Sequence, residues 1–135
     1  MEAEINQIIT SLMELESKGC HSINFEYGNG LFRVKILRLA SEDIVYERTV
    51  NPVQEQTQLD ELFGFIKNLK LRTRTTLHQC YKREFIKGEK AGEWEKTKPA
   101  FEFGENATQA MLIDGSGYYI DDPDNGLQYF VDMKS

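Results

Sequence analysis

The residues best suited to chemistry are few. The chain holds two cysteines, Cys20 and Cys80, and two histidines, His21 and His78. Together they offer two sulfurs and two imidazoles to a metal. Tetrahedral zinc sites take their ligands in pairs from short turns. Here one pair is adjacent in sequence and the other sits at i, i+2, so a small buried cysteine in each element fits the pattern better than a ligand. Cys20 beside His21 does not make a nucleophile and its base, because strand neighbours point to opposite faces. Gly115-Ser116-Gly117 lacks the spacing of a nucleophile elbow. Asp121, Asp122, Asp124 and Asn125 before Gly126 suggest a calcium loop, but Pro123 takes a ligand position and a hairpin turn is the better account. Gly28-Asn29-Gly30 precedes a strand, not the helix that a dinucleotide fingerprint must open. The expectation is a protein with no catalytic residues, no metal and no cofactor.

What remains is charge. The net charge is −6, distributed in blocks. Residues 1–66 hold 11 acids and 5 bases, residues 67–98 hold 4 and 10, and residues 99–135 hold 7 and 1. Two surfaces follow. Glu102, Glu105, Asp114, Asp121, Asp122 and Asp124 would form an acidic face able to block a cationic partner and speed its encounter. Lys67, Lys70, Arg74, Lys82, Arg83 and Lys87 would form a basic face for phosphates, a nucleic-acid role opposed by the overall negative charge. Trp94 and Tyr118 are the aromatics best placed to line a small-ligand pocket.

The elements that must position these groups show in the hydrophobic pattern. Ile5, Ile8, Ile9, Leu12 and Leu15 share one face of a helix over 4–18. The period then falls to two. Strands are expected over 23–27, 31–39 and 44–50, with a hairpin at Gly28-Asn29-Gly30. Leu59, Leu62, Phe63, Ile66 and Leu69 mark a second helix with Thr57 as its cap. Thr73, Leu77, Cys80, Tyr81 and Phe85 extend its spacing to about Lys87, which predicts one long central helix. Strands over 100–103, 109–113, 118–120 and 127–131 close the chain. The fold class is α+β, antiparallel sheets packed with an N-terminal and a central helix in the order α-β-β-β-α-β-β-β-β. At 135 residues the expectation is one domain over 1–135. The acidic start and the lack of an apolar span point to a cytoplasmic protein that binds no membrane.

Arg83-Glu84-Phe85, then Gly92, Trp94, Phe101 and Phe103, and later Tyr119-Ile120-Asp121, follow that element order in a way that resembles the YezG-like immunity proteins. These are small intracellular proteins that neutralise toxins. The resemblance implies a long helix ending before a glycine and a tryptophan, an aromatic–acidic strand beyond, and a binding role toward a protein partner without catalysis. The Asp121–Gly126 turn and the strand after it depart from the family's pattern.

Overall fold

The computed structural model describes residues 2–134. The fold is α+β, and the chain divides into two compact units, 1–73 and 74–135.

In the first unit, α1 (Glu2–Ser17) is followed by β1 (His21–Gly28), β2 (Leu31–Arg38), β3 (Ile44–Val50) and α2 (Gln56–Leu71). The strands form an antiparallel sheet with β2 in the centre. Its hairpin turns on Asn29 and Gly30, with φ of 54° and 75°. Two successive positive φ angles match the right-handed twist of the flanking strands, which is why an Asn-Gly pair stands there. Phe32, Val34, Ile36 and Val50 face Ile5, Ile8, Leu12 and Leu15 of α1 and Leu59, Leu62, Ile66 and Leu69 of α2, all buried in one core. The opposite sheet face is charged, with Arg33 on Glu26 at 3.5 Å and Lys35 near Glu47 at 3.8 Å. Lys70 pairs with Glu14, and Lys18 Nζ donates to the Lys70 and Thr73 carbonyls at 2.7 and 2.8 Å. These contacts hold the two helices in register. The second helix begins at Gln56 with Glu55 as its cap, so Thr57 lies inside the first turn.

The central helix does not run to Lys87. It stops at Leu71, where the Thr73 hydroxyl donates to the Leu69 carbonyl at 2.8 Å. Beyond it, β4 (Thr73–Thr75) and β5 (Gln79–Glu84) are strands. The β-branched Thr73, Thr75 and Thr76 favour extended backbone. Leu77, which helical spacing places on the apolar stripe, is fully exposed.

The second unit adds β6 (Glu95–Thr97), β7 (Ala100–Glu102), β8 (Thr108–Met111), β9 (Gly117–Asp122) and β10 (Leu127–Asp132). Five of its strands form a sheet in the order β6-β5-β10-β9-β8, and β4 pairs with β7. One face of the large sheet presents Cys80, Tyr118, Ile120, Tyr129 and Val131 to a core that Phe101 completes. Phe101 stacks on Tyr129 with centroids 4.4 Å apart.

Candidate functional site

The other face of that sheet carries a different set of residues. Tyr81 and Tyr119 lie opposite Phe130 on either side of it in the antiparallel register. Their centroids are 6.4 and 5.0 Å from that of Phe130. Trp94 comes from the segment before β6 and stands 6.1 Å from Tyr119 and 6.2 Å from Phe130. The turn that delivers it is tied by the Gly92 amide donating to the Glu84 carbonyl at 2.9 Å.

Arg83 completes the group. Its guanidinium lies 4.3 Å from the centre of the Trp94 ring and 5.5 Å from that of Phe85. Arg83 Nε donates to Gln128 Oε1 at 2.8 Å, and Gln128 Nε2 donates to Asp121 Oδ1 at 2.7 Å. This line holds the guanidinium over the indole, where ring quadrupole and cation attract. Tyr81, Tyr119, Phe130 and Arg83 are half-buried, and Trp94 keeps 37% of its surface exposed. The result is a pre-ordered aromatic and cationic surface. It suits contact with another macromolecule more than enclosure of a small one.

The acidic residues do not form one surface. Asp122 is fully buried. Its carboxylate accepts from the Gly104 amide at 3.1 Å and from Asn125 Nδ2 at 2.8 Å. Its place on an acidic face is therefore corrected: it satisfies a loop and a turn from inside. Asp124 accepts from the Asn106 amide and side chain at 3.0 and 2.9 Å. A Cβ at Gly104 would come within 2.4 Å of Asp124, so the closeness of this clasp requires glycine. Asp121 belongs to the Arg83 line, and Glu102 on β7 is half-buried. Glu105 and Asp114 are exposed. The Ser116 hydroxyl and amide hold the Asp114 carboxyl below its usual range.

The basic residues are divided too. Lys67 and Lys70 lie on α2, Arg74 on β4, Lys82 and Arg83 on β5, and Lys87 in the loop after it. No single helix carries them, which corrects the expectation of a basic central helix. Lys70 is taken by Glu14, and Lys67 lies 4.8 Å over the Phe63 ring. Arg74 lies over the rings of Phe103 and Tyr118 and donates to Gln109 and the Tyr118 hydroxyl. Lys82 and Arg83, adjacent on a strand, point to opposite faces. Trp94 and Tyr118 do not share a pocket, because Tyr118 is buried in the core on the far face from Trp94.

Among the described residues, no group of three or more histidines, cysteines and acids is placed to hold a metal. No helix among them is long and apolar enough to cross a membrane. Cys80 is buried, its thiol donates to the His78 carbonyl at 3.5 Å, and burial raises its pKa.

Sequence reasoning singles out Trp94 but not the set around it. The signal is there: Tyr81 and Arg83, Tyr119 and Asp121, and Gln128 and Phe130 each alternate with core residues. Helical spacing over 81–85 hides it. No family model, no curated protein and no solved structure matches the chain.

Proposed function

We propose that the chain is a non-enzymatic interaction protein of the immunity or inhibitor kind, which acts in the cytoplasm by covering the working surface of a partner protein. The observation that carries this reading is Arg83 laid on Trp94 within the aromatic face of the second unit. Tryptophan, tyrosine and arginine are the residues that most often dominate binding energy at protein interfaces. Here they are already ordered, so little conformational freedom is left to lose on binding. The net charge of −6 favours a cationic partner and a salt-sensitive encounter. Glu105 and Asp114 are exposed and contribute to that charge.

The test starts from a partner captured on the full chain from its native source. Trp94→Ala and Arg83→Ala each weaken that complex by about 2 kcal/mol or more, the scale of an interface hot spot. Glu105→Gln with Asp114→Asn mainly slows association at low salt. If both aromatic-face variants stay folded by circular dichroism and bind as tightly as the parent, the reading is wrong.

A further inference from the structure

A second surface lies on the first unit, at the free edge of β1, and it stands independently of the aromatic face. The Asn29-Gly30 turn is a two-residue hairpin, so its flanking pair Gly28 and Leu31 exchanges both backbone hydrogen bonds. Counting back in twos along the register, Glu26, Asn24 and Ser22 also bond inward to β2. Ile23, Phe25 and Tyr27 must therefore turn their amides and carbonyls outward. Two contacts agree with this parity. The Leu39 amide donates to the Cys20 carbonyl at 3.0 Å, and the Ile23 amide donates outward to Glu16 Oε2 at 3.1 Å.

The helix carboxylate thus closes the edge at Ile23, and the edge is open at Phe25 and Tyr27. Both side chains point to the helix side of the sheet, each 6.2–6.4 Å from the buried Phe32 ring, yet 40% and 48% of their surfaces are exposed. A hollow of about 290 Å³ opens beside Glu26 and Tyr27 at the turn end. Unpaired backbone with exposed aromatics at alternate positions is what an added strand needs: ladder bonds for affinity and side-chain seats for specificity.

We infer that the β1 edge at Phe25 and Tyr27 receives an extended segment of a different protein, apolar toward the two aromatics and basic where it faces Glu26. The same strand of a second copy does not fit the edge. Two-fold pairing centred on Glu26 sets that carboxylate against its own copy, and like charges directly opposite one another oppose pairing. Centring on Phe25 requires the Ile23 amide that Glu16 holds. Centring on Tyr27 runs the strands into the Asn29-Gly30 turn. The basic character of the incoming strand follows from Glu26, whose side chain pairs with Arg33 through one oxygen at 3.5 Å yet stays 71% exposed, and from the Glu16 carboxylate farther along the edge, which among the described residues meets only the neutral Ile23 amide there.

The test is amide exchange read residue by residue by NMR on the full chain. The probe is a capped peptide of alternating valine and lysine, about seven residues long to match one strand. Without peptide, the Phe25 and Tyr27 amides exchange fast while Asn24 and Glu26 are protected. At saturating peptide, Phe25 and Tyr27 slow by about tenfold or more. N-methylating the valines abolishes the effect, as does replacing the lysines by glutamates, and Glu26→Lys reverses the preference between the two charged peptides. Unchanged exchange at millimolar peptide would overturn the inference, and so would equal slowing by the N-methylated peptide. Protection that grows with protein concentration alone would also overturn it, by giving the edge to a second copy. None of these outcomes involves Trp94, so a failure here is distinct from a failure of the proposed function.

Discussion

Single side chains set two kinds of outcome. Asp122 is a buried carboxylate held by a backbone amide and an asparagine. Removing it leaves the Gly104 amide and Asn125 without their acceptor, so Asp122→Ala should destabilise the second unit by roughly 2–4 kcal/mol. Urea unfolding followed by Trp94 fluorescence measures this, since Trp94 is the one tryptophan of the chain. The pH response follows from two groups. Burial raises the Cys80 thiol and, against the nearby Arg48, the Tyr46 phenol, which stacks on Phe65 at 4.2 Å. Both hold their protons more tightly folded than unfolded. Their contribution is complete below the ordinary thiol and phenol values and is lost as pH rises through the raised folded values. Stability from this source should hold to about pH 8 and fall beyond about pH 9–10. Thermal melts across that range should show the decline, flattened in Cys80→Ala and Tyr46→Phe. Asp114 acts in the opposite sense: its lowered pKa means that its turn contact is lost only as pH falls through a value below the usual carboxylate range.

At the scale of elements, α2 is fixed by four fully buried residues, and Ile66 is among them. Ile66→Ala should cost about 2–5 kcal/mol, measured by chemical denaturation. The same apolar stripe makes α2 legible in the sequence, as it makes α1 legible. The three strands of the first unit are legible because alternation and the Asn29-Gly30 pair agree. The second unit is harder. Thr73, Leu77 and Cys80 fall at helical spacing by coincidence, and only β-branched propensity argues for extended backbone. The strands β4 and β5 escape the sequence pattern for that reason, and β6 escapes it because Glu95-Lys96-Thr97 carries no apolar alternation, while those over 100–103, 109–113, 118–120 and 127–131 show in it to within a few residues. The candidate site suffers most. Its acidic and basic sets rest on composition, and composition does not say that Asp122 is inside or that Lys82 and Arg83 face apart.

On the scale of the whole molecule, the two hydrophobic cores draw on separate stretches of chain, one within 1–73 and the other within 74–135. Ile66→Ala should therefore raise amide exchange mainly across the first unit, and Asp122→Ala mainly across the second, because local opening follows cooperative units. Each unit also offers a surface with its own chemistry, an aromatic face with arginine in one and an open strand edge in the other. The central claim is that the aromatic face meets a protein partner, and Trp94 fluorescence tests it directly. With the captured partner bound, the Trp94 emission should shift to shorter wavelength and acrylamide quenching should fall, as the indole loses its remaining contact with water. A saturated complex in which Trp94 emission and quenching match those of the free chain would contradict the account.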